Sequence, residues 1–158
     1  MSLKTKLFLC LTAGMLLVGT SAFLLKPLQT SPGTEHDLVK EAILDYVEGV
    51  YTMDTSRIYR SVHPSLVKRG SWFDRQKGEY VPLQEMTFQQ LVNLTKHWNK
   101  DGKRANGESM RKIEVYDVQD KTATAKLTAV WGTDYFHLAK QDGKWYIMNV
   151  LWQSPKPH

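Results

Sequence analysis

A switch of hydrophobic period close to Met110 constrains this 158-residue chain more than any other feature. Upstream, apolar residues recur at helical spacing. Leu38, Val39, Ala42, Ile43, Tyr46, Val47 and Val50 form one stripe, and Lys40, Glu41, Asp45 and Glu48 take the opposite side. Downstream the period is two, in consecutive runs. Ile113, Val115 and Asp117 alternate with Glu114, Tyr116 and Val118, and Ala123, Ala125, Leu127, Ala129 and Trp131 alternate with threonines and Lys126. Tyr135 and His137 then alternate with Phe136 and Leu138, and Trp145, Ile147, Asn149 and Leu151 with Tyr146, Met148, Val150 and Trp152. Helices followed by a meander of strands define an α+β domain. A curved, mostly antiparallel sheet wrapped around a long N-terminal helix encloses a pocket rather than presenting a flat surface.

Local signals place the element ends. Thr34 with Asp37 forms a capping box for the first helix, and Thr87 with Gln90 forms one for a later helix continued by Leu91, Leu94 and Trp98. Asp54 caps a short helix carrying Ile58 and Val62. Pro64 ends it, because the residue before a proline is driven out of helical angles. Residues 65–77 read as irregular, pinned by Val67, Trp72 and Phe73. Residues 79–83 read as an edge strand, where Pro82 is tolerated. Turns are expected at Gln119-Asp120, Gly132-Thr133 and Asp142-Gly143, the last being the strongest hairpin signal.

The first 22 residues read as a secretory leader: Lys4 and Lys6, an apolar stretch from Leu7 to Val18, and the small residues Thr20-Ser21-Ala22 at the cut. The apolar stretch is shorter than the ~20 residues a bilayer span needs. An uncleaved anchor is the alternative, because Phe23, Leu24 and Leu25 prolong it. A Pro/Ser/Gly-rich linker follows over 23–33, and the folded domain is expected over 34–155, in a periplasmic or secreted location. The only cysteine, Cys10, lies in the leader, so the mature chain has neither disulfides nor thiolate metal ligands. The formal net charge of +5 falls to +3 without Lys4 and Lys6. Scattered basic residues without interleaved aromatics argue against nucleic acid as a partner. His36, His63, His97, His137 and His158 show no ligand spacing, so no metal is expected. Without a glycine-rich phosphate loop or a Gly-x-Ser-x-Gly elbow, no cofactor is expected either.

The segment Asp45-Tyr46-Val47-Glu48-Gly49-Val50-Tyr51, followed by Asp54, His63-Pro64 and Lys68-Arg69, resembles the "putative lumazine-binding" family. That family lies within the nuclear transport factor 2-like (NTF2-like, SnoaL-like) superfamily. Asp142-Gly143-Lys144-Trp145 with Ile147 and Asn149 resembles the superfamily's last hairpin. The resemblance covers roughly residues 35–153 and implies a cone-shaped domain with an apolar cavity, often in a homodimer. The superfamily includes ketosteroid isomerases, epoxide hydrolases and polyketide cyclases, so fold alone assigns no reaction.

Three residues are candidates for general acid–base chemistry. His63 is a titratable imidazole near the expected cavity mouth, with Lys68 and Arg69 behind it as cations for an anionic ligand. Tyr46 falls where the isomerases place a tyrosine, and Asp117 sits on an inward-pattern strand beside Val115. The isomerase base, however, should fall near residues 68–70, which hold no acid; Asp74 is the nearest. The bland reading of Tyr46 is a buried hydroxyl with a neighbouring partner, and that of His63 is a ring closing the helix end. Trp98, Trp131, Tyr135, Trp145 and Trp152 supply planar walls, with His137 a polar contact on the face of Tyr135. Of these, Tyr135 and Trp152 are expected in the cavity and Trp98 and Trp145 in the core. The leading expectation is an exported domain that binds a small apolar or aromatic molecule, with no catalysis assigned. An acid–base enzyme using His63, Tyr46 and Asp117, which requires those side chains to converge, and a dimeric association module are the rivals.

Overall fold

A computed structural model describes residues 33–157. The leader, and the linker as far as residue 32, lie outside the described residues. Helix α1 (Glu35–Thr52) starts at a capping box: the Thr34 hydroxyl accepts from the Asp37 amide, and the Asp37 carboxylate accepts from the Thr34 amide. The helix stops at Met53, whose left-handed φ of 58° directs its amide back to Gly49. Asp54 then caps α2 (Thr55–Ser61) through the Ser56 amide at 2.9 Å. Asp45 on α1 receives Arg57 and Arg60 from α2, which holds the two helices side by side.

The expected irregular stretch after Pro64 is instead a strand, β1 (Val62–Ser71), with a register break between Val62 and Val67. Pro64 is accommodated in that break, where no ladder hydrogen bond is required of it. A small hairpin of β2 (Phe73–Asp74) and β3 (Glu79–Tyr80) follows, then β4 (Gln84–Thr87) and α3 (Phe88–Thr95) with its own capping box. The meander β5 (Arg111–Val118), β6 (Thr122–Ala129), β7 (Gly132–Gln141) and β8 (Lys144–Gln153) completes a six-stranded sheet in the order β4-β1-β8-β7-β6-β5. Among the described residues, only β1 and β8 pair in parallel. The fold is therefore α+β with a mixed, mostly antiparallel sheet. The β6–β7 turn occupies Val130-Trp131, two residues before the expected Gly132-Thr133. The β7–β8 turn is Asp142-Gly143, both at positive φ (50° and 78°), the conformation that matches strand twist in a two-residue hairpin.

Two bulges set which side chains face inward. Tyr116 is an extra residue on β5 and Met148 one on β8, so the inward sets become Ile113, Val115, Val118 and Trp145, Ile147, Val150, Trp152. Bulges also bend the strands that carry them, which curves the sheet around α1. Val39, Ile43, Val47 and Val50 of α1 lie fully buried against this concave face, with Ala125, Leu127, Phe136, Leu138 and Ile147 opposite. Each such branched side chain contributes about 1.5–3 kcal/mol.

Candidate functional site

The inward phase of the central strands carries two charged residues. Lys68 on β1 is in step with Leu66 and Gly70, and Asp134 on β7 is in step with Phe136 and Leu138. Lys68 is 5 % exposed and Asp134 0 %. Their strands flank β8, where Trp152 stands opposite both Gly70 and Asp134, so all these residues meet at one end of the concave face. The Lys68 ammonium donates to the Asp134 Oδ1 and to the Tyr46 hydroxyl, each at 2.8 Å. The second carboxylate oxygen of Asp134 accepts from Trp131 Nε1 at 2.7 Å. A buried charge needs such partners, because an unpaired one costs several kcal/mol.

Around this cluster lies a cavity of about 180 Å³. Tyr46 and Val50 of α1, Leu91 and Leu94 of α3, and Lys68, Met86 and Trp152 of the sheet line it, with Trp98 and Trp131. Its walls are aromatic and aliphatic, and its polar groups are the Lys68 ammonium, the Tyr46 hydroxyl and the indole N–H groups, all of them donors. The aromatic walls brace one another. Trp131 packs edge-on against Tyr46, Tyr51 and Trp98, and Tyr51 stacks on Trp98 at 5.8 Å with planes 19° apart. Tyr51 is fixed in turn, donating to the Met110 carbonyl and accepting from the Val130 amide. Asn99 satisfies its whole amide group on the backbone of Tyr51, Arg104 and Ala105, which ties the long loop before β5 to the end of α1. Trp152 lies against Gly70 so closely that a Cβ at that position would fall 2.1 Å from its ring, and the Lys68 Nζ sits 5.3 Å from an indole centroid of Trp152.

Electrostatics follow from burial. Loss of water pushes the Tyr46 hydroxyl pKa well above its ordinary 10.0, and the Asp134 charge adds to that, so the phenol stays protonated. Burial pulls the Lys68 pKa down, with the Asp134 carboxylate opposing the fall by charge and hydrogen bond. The site can donate hydrogen bonds into an apolar space, with its own negative charge turned away behind the lysine.

The expected residues distribute unevenly. Tyr46 and Trp152 line the cavity, and so does Trp98, expected in the core, whereas Trp145 is buried in the core. Tyr135 (47 % exposed) and His137 point from the convex face of the sheet, because the inward phase of β7 is Asp134, Phe136 and Leu138. Asp117 does not share the face of Val115: the Tyr116 bulge turns it outward, where its carboxylate accepts from the Gln119 side chain. His63 is half-buried at the start of β1. It accepts from the Ser65 amide at Nδ1 and packs edge-on to Tyr146, and it is not among the residues that line the cavity. His63, Tyr46 and Asp117 thus do not converge, and the acid–base arrangement built on them fails. Asp134 is the residue sequence reasoning missed. The available signal was an acid in the apolar phase of one strand and a lysine in that of another. Among the described residues, no group of three or more His, Cys, Asp or Glu is placed to hold a metal ion.

A family profile described as "Putative lumazine-binding" matches residues 34–153. Among solved structures, an NTF2-like protein of unknown function from Shewanella baltica OS155 superposes with a TM-score of 0.58 at 19% identity, over 82% of this chain and 99% of that one. An NTF-2 like protein of unknown function from Silicibacter pomeroyi DSS-3 gives 0.57 at 17%, over 79% and 100%. A ketosteroid isomerase-like protein from Erwinia carotovora atroseptica SCRI1043 gives 0.52 at 15%, over 80% and 100%. These likenesses establish the NTF2-like fold. No curated protein matches the chain.

Proposed function

This chain belongs to the putative lumazine-binding family, and from that premise we propose that it is an exported domain whose task is to bind a small planar molecule, with no catalytic step assigned. The observation that carries this reading is the aromatic-walled cavity of about 180 Å³ between α1, α3 and the sheet. An apolar cavity of about 150 Å³ already takes up benzene in an engineered protein, so one ring with substituents, or a compact fused pair, is the scale of guest that fits. Flat walls from Trp98, Trp131 and Trp152 favour a flat guest, and the family description points to lumazine, a planar fused heterocycle. The basic start, apolar stretch and small-residue site of the first 22 residues support export.

Titration calorimetry with lumazine and a panel of single-ring and fused heteroaromatics tests the reading. Saturable binding is expected, abolished by Leu94→Trp, which fills the cavity from its exposed rim without entering the core. Absence of heat with every panel member, or binding that survives the plug, overturns it.

A further inference from the structure

Counting protons on the buried cluster shows what the cavity asks of its guest. An ammonium group has three N–H donors. In Lys68 one goes to Asp134 and one to Tyr46, leaving a third with no oxygen or nitrogen acceptor among the described residues and with the indole face of Trp152 nearby, 5.3 Å from the Nζ. The Tyr46 hydroxyl oxygen accepts from Lys68, and its own proton has no acceptor among the described residues either. Both residues line the cavity, and the two atoms lie 2.8 Å apart. Asp134 is not part of the cavity wall: its oxygens are taken by Lys68 and Trp131. The polar spot in an otherwise hydrocarbon and aromatic space is therefore donor-only, and buried donors left unmet are costly.

Resting on the binding reading above, we propose that the unspent N–H of Lys68 and the O–H of Tyr46 converge on a single oxygen of the guest, and that this pair selects planar molecules bearing a carbonyl or enolate-type oxygen. The alignment is prepaid. Asp134 holds the lysine, Trp131 holds Asp134, and the Trp131 ring is wedged between Tyr46, Tyr51 and Trp98. A guest with only N–H donors or a positive charge meets donors with donors and is rejected. A hydrocarbon of the same shape fills the space and leaves both protons unmet.

Three probes of nearly equal shape separate these cases by calorimetry: acetophenone, its hydrocarbon isostere α-methylstyrene, and the cationic benzamidine. Wild type is expected to bind acetophenone at least about tenfold more tightly than α-methylstyrene, against the hydrophobicity of the two, and to ignore benzamidine. Tyr46→Phe and the paired variant Lys68→Met/Asp134→Asn are expected to reverse the preference toward α-methylstyrene. The infrared carbonyl band of bound acetophenone should fall in wavenumber in wild type and return in both variants, which a merely structural role for these residues would not produce. Equal or tighter binding of α-methylstyrene by wild type overturns the oxygen anchor while the binding function stands. Binding of none of the three probes, together with silence from the heteroaromatic panel, removes both.

Discussion

Asp134→Asn tests the electrostatic core of the site directly. The substitution keeps the side chain's shape and an oxygen for Trp131 Nε1, and replaces the charged oxygen facing Lys68 with a neutral NH2 group that cannot accept from it. The side chains of Lys68 and Asp134 are 6 % and 0 % exposed, so the lysine charge is left in the interior with the neutral Tyr46 hydroxyl. Breaking a buried pair from one side costs about 3–5 kcal/mol. That is a large part of the 5–15 kcal/mol of a typical domain, and for one of this size corresponds to a fall in Tm of roughly 10–20 °C. Lys68→Met is expected to cost as much, by stranding the carboxylate. The double variant Lys68→Met/Asp134→Asn buries no charge and should lose only about 1–3 kcal/mol for the unmet amide, so the cycle returns a coupling of at least about 3 kcal/mol. Urea unfolding followed by tryptophan fluorescence, with the m-value checked for constancy, reads all four proteins. The pH dependence supplies a signed second test. Without Asp134, nothing opposes the fall that burial imposes on the folded-state pKa of Lys68, while the unfolded lysine titrates near 10.4. Between those values the unfolded chain binds the extra proton. Asp134→Asn should therefore regain stability as pH rises, by up to about 1.4 kcal/mol per pH unit more than wild type. A loss below about 1 kcal/mol for Asp134→Asn, or a double variant as unstable as the two singles summed, refutes the reasoning.

Two further outcomes follow from individual contacts. Gly70→Ala sets a methyl group where the Trp152 ring lies, 2.1 Å from its nearest atoms, so the indole must swing and carry a cavity wall with it. A cost of about 1–3 kcal/mol and loss of ligand affinity are expected, and unchanged affinity by calorimetry contradicts the placement of Trp152. The Glu35 carboxylate accepts from Lys140 and Trp145, and these hydrogen bonds hold its pKa below the ordinary 4.5. A depressed folded value means that the contribution is present above pH 4.5 and is lost as pH falls through the lower folded value. The Trp145 indole N–H resonance should report that midpoint, and a midpoint at or above 4.5 removes the contact.

Helix starts and the last hairpin turn were legible because each rests on a local rule. The Thr34/Asp37 and Thr87/Gln90 boxes, the Asp54 cap and the Asp142-Gly143 turn occur as read. Alternation identified the four strands after Met110 but not their phase, since a single bulge residue reverses the facing of everything beyond it. Tyr116 sends Asp117 outward, and Met148 brings Val150 and Trp152 inward in place of Asn149 and Leu151. On β7 the spacing was right and the face was not: aromatic Tyr135 reads as an inward residue, and Asp134 directly follows the expected Gly132-Thr133 turn. Each appearance is local, whereas the pairing of Asp134 with Lys68 spans 66 residues and depends on β1 lying two strands away. β1 itself was missed because Pro64 and the polar run after it carry the marks of a loop, and its strand character comes from partners on both sides rather than from its own composition.

The position of β8 has a consequence for how the molecule is made. β8, the last of the described strands, is an interior one, joining β1 to β7. A polypeptide halted before Lys144 would hold β4–β1 as one fragment and β5–β7 as another, with no ladder between them. The lysine and its carboxylate would then belong to separate pieces, and the aromatic chamber would lack the floor that Trp152 provides. Pairing across such sequence distances is slow, because the intervening loop must close before any contact rewards it. The two halves of the sheet are therefore joined only once β8 is in place, so the chamber and its ion pair form in the same step.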